Sequence, residues 1–140
     1  MEKDTILMIE DFFRKNPIAK GEPATREEIA KAEKELCLKF QEDYVFFLLN
    51  YGGSMIKNKE IYGFHNSELM DDTDIVELTE LFREDDGNEK WLIIGTDYCG
   101  NSIGMDENGK ILVHDHDVGE DVILGETFED YILKIFSKDV

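Results

Sequence analysis

Residues 113–117 (VHDHD) contain two imidazoles and two carboxylates and are the first candidate for chemistry in the sequence. Imidazole and carboxylate side chains bind transition metals and act as general acids and bases. On a β-strand, however, successive side chains point to opposite faces. We therefore expect His114 and His116 to share one face. Asp115 and Asp117 then share the other face, so the four groups do not converge on one ion.

A metal site at this strand would need further ligands. Two histidines two residues apart on a strand have Cα atoms roughly 6–7 Å apart and can supply two ligands. A third would come from His65, Cys99 or another carboxylate, and nothing in the sequence requires it. We predict no metal and no cofactor, and we interpret the segment as the polar end of a strand. A metal-dependent enzyme centred on the two histidines is the alternative.

Two other features resemble catalytic motifs only superficially. The segment GTDYCGNSIG (residues 95–104) has three glycines, but it fits neither the dinucleotide-binding nor the P-loop pattern. We expect these glycines in tight turns between strands. Cys99 adjoins acidic Asp97, and a neighbouring carboxylate opposes the thiolate that a nucleophile requires. Cys37 is expected to pack inside the protein, and the sequence predicts no catalytic residue.

The charge of the chain is strongly negative and unevenly distributed. Thirty-three acids against 15 Lys+Arg give a formal charge of −18. Residues 1–65 carry 12 acids and 10 bases, whereas residues 66–140 carry 21 acids and five bases. Such a surface repels nucleic acid and anionic membranes and attracts a basic protein. The acids predicted to contact that partner are Asp71, Asp72, Asp74, Glu84, Asp85, Asp86, Asp115 and Asp117.

The size of the chain predicts a single domain over residues 1–140, since 140 residues suffice for one continuous core. The N-terminal residues lack the basic start and apolar run of a signal peptide, and no apolar stretch reaches the roughly 18 residues of a membrane span. The two cysteines form no CxxC pair. We therefore expect free thiols and a cytoplasmic protein.

The hydrophobic periodicity predicts an α+β fold with N-terminal helices, a central mostly antiparallel β-sheet and a C-terminal helix. Helical spacing covers residues 4–15, 26–38, 42–50 and the segment after Thr127, with a capping box formed by Thr25 and Glu28. Strand-like runs cover 54–64, 91–95 and 122–124, and Asn108-Gly109 predicts one more hairpin. Residues 66–86 combine helical spacing with many acids, so no boundary is assigned there.

Two ordered motifs resemble the SMI1/KNR4 (SUKH) superfamily. The first runs from Ile29 and Glu33 through Leu36 and a Phe-Leu pair to the Asn-Tyr-Gly-Gly turn at residues 50–53. The second is residues 94–106 (IGTDYCGNSIGMD), followed by the hairpin that ends in Asp-His-Asp. Together they span about residues 25–117. Phe40-Gln41 stands where the family usually has Leu-Pro, and Tyr98-Cys99 replaces small residues.

The resemblance implies a domain that acts by binding protein. Many bacterial members resemble immunity proteins of polymorphic toxin systems and frequently neutralise nucleases. Fungal members resemble signalling scaffolds, and a regulatory scaffold unrelated to toxins is therefore the second interpretation. A nuclease has a basic substrate groove, which an acidic protein can occlude. The resemblance and the charge together predict a non-enzymatic immunity protein whose partner is a cognate toxin with a basic surface.

Overall fold

Three α-helices and one short 3-10 helix (Pro17–Ala19) precede the first strand in the computed structural model, which describes residues 1–137. The α-helices are α1 (Lys3–Lys15), α2 (Arg26–Leu36) and α3 (Glu42–Tyr51). A short hairpin of β1 (Ser54–Ile56) and β2 (Lys59–Ile61) follows, and then α4 (Ile75–Asp86). The chain continues through β3 (Leu92–Thr96), β4 (Ser102–Met105), β5 (Ile111–Asp115) and β6 (Glu120–Gly125) to α5 (Phe128–Ser137). The predicted α+β fold is confirmed.

The start of α2 is fixed by its first residues. The Thr25 hydroxyl accepts from the Glu28 backbone N–H at 3.1 Å, and the Glu28 carboxylate accepts from the Thr25 N–H at 2.9 Å. This is the predicted capping box. The helix ends two residues earlier than predicted, because Cys37 adopts a left-handed conformation with φ 54°. Cys37 is exposed, so the prediction that it packs inside the protein is wrong.

The main sheet is antiparallel, with the strand order β3-β4-β5-β6. The predicted hairpin between β4 and β5 is present, and Gly109 supplies the positive φ of 85° that its turn requires. Gly100 also lies in a turn, as predicted, but Gly95 and Gly104 lie within strands, so that prediction is wrong for both. At Gly104 an added Cβ would lie 2.5 Å from the Trp91 ring. This glycine is therefore needed for close packing and not for a turn.

Strand alternation gives the sheet two buried faces. Leu92 and Ile94 of β3 belong to the main core, together with residues of α1, α2, α3 and α5. Trp91 and Ile93 point to the other face and form a second cluster with Phe82 of α4. The segment that the sequence left undefined, residues 66–86, thus supplies the helix that covers this second face.

Candidate protein-binding surface

The contacts that attach helix α4 to the sheet include a buried hydrogen bond and an aromatic stack. The Thr79 hydroxyl, which is fully buried, accepts from the backbone N–H of Ile93 at 3.0 Å. Phe82 stacks on Trp91 with ring centroids 5.8 Å apart and ring planes inclined by 4°. These contacts fix the rotation of α4 about its axis. They therefore decide which of its side chains line the groove beside the helix.

That groove, which we call the acidic groove, lies between α4 and the ends of β4 and β5 and has a volume of about 330 Å³. Phe82 and Ile93 form an apolar floor, and Leu81 is 50% exposed at its edge. The α4 side chains that line it recur at helical spacing: Leu78, Leu81, Phe82, Asp85 and Asp86. The opposite wall consists of Gly100, Asn101, Ser102, His114 and His116.

His114 joins the two walls of the acidic groove. Its Nδ1 lies 2.8 Å from an oxygen of Asp121 on β6, and its Nε2 lies 3.6 Å from an oxygen of Asp86 on α4. The hydrogen bond to Asp121 raises the pKa of His114, and the charges of Asp86, Asp121 and Asp115 raise it further. Partial desolvation of the imidazole lowers the pKa and offsets part of this increase. The protonated imidazole is thus stabilised between two carboxylates.

The geometry of the VHDHD segment differs from strict strand alternation after Asp115. The strand β5 ends there, and residues 116–119 form the turn to β6. His116 and Asp117, predicted on opposite faces, approach each other with Nε2 3.7 Å from Oδ1. The prediction of a polar strand end is correct. The expectation that successive side chains point to opposite faces of the sheet holds only as far as Asp115. Both histidines nevertheless line the acidic groove.

The two further metal ligands named from the sequence, His65 and Cys99, do not form a cluster with His114 and His116. His65 contacts Glu28 of α2 at 2.7 Å, and Cys99 is exposed in the turn between β3 and β4. Within residues 1–137, no group of three or more His, Cys, Asp or Glu side chains is arranged to hold a metal ion. The carboxylate of Asp97 accepts from the N–H groups of Cys99 and Asn101. It therefore shapes this turn.

The eight acids predicted to bind the partner occupy the two ends of α4 and the turn after β5. Asp71 and Asp72 are exposed in the loop before the helix, and Asp74 caps its first turn by accepting from the Glu77 N–H at 3.0 Å. The others lie in the last turn of α4 and around the β5–β6 turn: Glu84, Asp85, Asp86, Asp115 and Asp117. A helix of 12 residues is about 18 Å long, so the two groups are separate surfaces.

Sequence reasoning missed Leu81 and Phe82 of the acidic groove, and it missed Asp121, which bonds to the groove residue His114. Asp121 bonds to His114 through the cross-strand register His114↔Asp121, which no local pattern reveals. Leu81 and Phe82 were assigned only to an ambiguous helical segment. Their spacing relative to Asp85 is a detectable signal, because residues three and four apart lie on one face of a helix.

The fold and the groove define a small α+β protein with an open groove on its surface. The chain belongs to the SMI1/KNR4 family (SUKH-1), whose family model matches residues 23–134. The match extends past the two motifs into α5, and it confirms the resemblance predicted from them. A comparison with curated proteins gave no match. No helix within residues 1–137 is long and apolar enough to cross a membrane.

Proposed function

We propose that this chain is a non-enzymatic, cytoplasmic immunity protein that binds and neutralises a cognate, nuclease-type toxin with a basic surface. The observation that carries the proposal is the acidic groove, in which Asp85 and Asp86 border an apolar floor of Phe82 and Ile93. Membership of the SMI1/KNR4 family and the excess of acids in residues 66–140 support it.

The acidic groove is chemically complementary to lysine and arginine side chains. Their aliphatic stems pack on apolar surface while the charged head remains near water and carboxylates. The half-exposed Leu81 and the buried Phe82 offer that apolar surface, and Asp85 offers the charge. Charge complementarity chiefly sets the association rate and specificity, while buried apolar contacts supply most of the affinity. Both components are present side by side at this groove.

The position of the acids on α4 also supports a binding role. Glu84 and Asp85 lie in the last turn of the helix, next to the negative end of its dipole, where acidic side chains are destabilising. Asp86 has a local partner in His114, but local stability does not account for Glu84 and Asp85. Arg83, the base in that turn, donates to the backbone oxygens of Leu36 and Glu89 and is directed to internal contacts.

The proposal is tested by co-expressing the chain with the C-terminal toxin domain encoded beside its gene. We expect the wild type to restore growth, and Asp85→Lys to lose protection and to weaken binding about tenfold or more by reversing a charge at the groove. Asp72→Lys, the same charge change at the other end of α4, is the matched control and should protect normally.

Growth arrest in the presence of folded wild-type protein would overturn the immunity role. It would favour the second interpretation, a regulatory scaffold, if the chain still bound another cytoplasmic protein. Protection that is lost in Asp72→Lys but kept in Asp85→Lys would retain the immunity role and move the interface to the loop before α4.

A further inference from the structure

The strand β6 leaves one edge of the main sheet open. In the described part of the chain, β6 pairs only with β5, so its outer row of backbone N–H and C=O groups faces no other strand. The opposite edge of the sheet is covered, because Tyr62, which follows β2, donates its N–H to Ile94 of β3 at 2.8 Å. The two edges of the sheet therefore differ in their capacity to accept another strand.

The side chains of β6 are exposed on both faces of the sheet. Val122 lies opposite Val113, on the face of the main core, and is 49% exposed. Ile123 lies opposite Leu112, on the face covered by α4, and is 47% exposed. Neighbouring β-branched residues exposed on opposite faces are what an additional strand would cover, since it would extend both faces at once.

The protections of this edge strand do not oppose a basic partner. Natural edges carry charged side chains, lysine above all, or proline or bulges that prevent pairing with other chains. The charged residues of β6 are the acids Glu120 and Asp121, which repel an acidic chain and attract a basic one. Residues 118–126 contain no lysine, arginine or proline. A bulge at Leu124 interrupts the regular register between Ile123 and Gly125. The continuous regular segment of this edge is therefore residues 120–123.

We propose that the outer edge of β6 at residues 120–123 accepts a β-strand of the basic partner, which extends the main sheet. The incoming strand places two basic residues opposite Glu120 and Asp121 and two β-branched residues opposite Val122 and Ile123. Opposed side chains in such pairs lie about 4.5–5.5 Å apart, close enough for both charge and apolar contacts. This inference rests on the proposed function for the nature of the partner.

The β6 edge is continuous with the acidic groove. Asp121 accepts the hydrogen bond of His114, whose ring also approaches Asp86 on α4. A partner strand on β6 would therefore lie beside the groove, and neighbouring segments of the same partner could fill it. A second copy of this chain is a poorer occupant, because two molecules of charge −18 repel each other.

The test uses two single proline variants, Val122→Pro and Ile123→Pro. Successive residues of a strand point their N–H groups to opposite edges, so one proline removes a bond to β5 and the other blocks only the outer edge. The melting temperature identifies the latter, since it should lie close to that of the wild type. The control is the double variant Val122→Thr/Ile123→Thr, which keeps every N–H and a β-branched shape while removing apolar surface.

The probe is a library of random peptides displayed on phage, selected on the wild type and re-tested on each variant. We expect enrichment of peptides in which basic residues adjoin β-branched ones, about tenfold weaker binding to the edge-blocked proline variant, and a smaller loss with the threonine variant. The proposal would be overturned if the selected peptides bound the edge-blocked proline variant as tightly as the wild type. It would also be overturned if the threonine variant lost as much binding as the proline variant, or if the selected peptides were not enriched in basic residues.

Two further measurements complete the test. In hydrogen exchange on the wild type, alternate amides of residues 120–123 should be unprotected in the free protein and protected when a selected peptide is bound. Exchange that the peptide does not change would overturn the proposal. This measurement decides the question even if both proline variants unfold. Light scattering should show a monomer, and a dimer abolished by the edge-blocking proline would overturn the basic partner as occupant. If the wild type fails to protect cells, the proposed function fails, whereas the peptide selection still decides whether the β6 edge accepts strands.

Discussion

At the scale of the residue, His114 is the group whose protonation links three elements of the acidic groove. It lies on β5, bonds to Asp121 on β6 and approaches Asp86 on α4. Because its pKa is raised in the folded protein, protonated His114 favours the fold. That contribution is fully present below the pKa of an unfolded histidine, about 6.5. It is lost as the pH rises through the higher pKa of the folded state.

Replacing His114 with glutamine should therefore destabilise the protein more at pH 6 than at pH 9. We expect the melting temperature of His114→Gln to lie a few degrees below that of the wild type at pH 6, and the difference to shrink at pH 9. Circular dichroism at the two pH values measures it. His116→Gln is the matched control, because the His116 side chain is 59% exposed and its replacement should change the melting temperature little. A deficit that is equal at both pH values would contradict the role assigned to His114.

At the scale of the element, α4 carries acids at both ends, with opposite consequences for its stability. Asp74 at the start satisfies a free backbone N–H of the first turn. Glu84 and Asp85 at the end lie against the negative end of the helix dipole. The first acid is explained by the fold, whereas the other two are explained better by the proposed binding role.

This difference predicts opposite effects of neutralising the two ends. Asp74→Ala should lower the free energy of unfolding by about 1 kcal/mol, because a capping hydrogen bond is lost. The double variant Glu84→Gln/Asp85→Asn should raise it by roughly 0.5–1 kcal/mol. Urea denaturation measures both, and Asp74→Asn, which keeps a capping oxygen, serves as the control with little change. Destabilisation by Glu84→Gln/Asp85→Asn would show that these acids make structural contacts.

The elements that the sequence predicted correctly are those with local signals. Thr25 and Glu28 stabilise the start of a helix within one turn, and Asn108-Gly109 forms a turn within four residues. The prediction that Cys37 is buried is wrong, because its left-handed conformation at the helix end depends on how the chain turns there. Local patterns therefore define most of the elements but not the exact ends of each one.

The acidic groove could be predicted only in part, because its contacts are distant in sequence. His114 meets Asp121 through strand register and Asp86 through the packing of α4 on the sheet. The stack of Phe82 on Trp91, which sets the orientation of α4, joins a helix and a strand whose contact no local sequence pattern indicates. The acids themselves could be identified from the sequence, but their division between two ends of one helix required the fold.

At the scale of the whole molecule, the charge of −18 acts on stability and on association in opposite directions. Repulsion among 33 acids destabilises the folded state, and the same field accelerates encounter with a basic protein. The ion pairs on the surface of residues 1–137 include Arg14 with Asp11 and Lys90 with Glu107. Exposed pairs of this kind contribute only about 0–1 kcal/mol each. The net repulsion should therefore dominate the response of stability to salt.

Salt should consequently stabilise the protein while slowing its association with the proposed basic toxin. Raising the ionic strength from about 0.01 M to about 0.1 M shortens the Debye length from about 30 Å to about 10 Å. We expect the melting temperature to rise and the association rate measured by stopped flow to fall about tenfold or more. Glu84→Gln/Asp85→Asn should reduce the salt dependence of that rate more than Glu22→Gln/Glu27→Gln, which removes equal charge from residues 1–65. An association rate that does not change with salt would contradict electrostatic steering by the acids of residues 66–140. It would leave apolar contacts at Leu81 and Val122 as the basis of recognition.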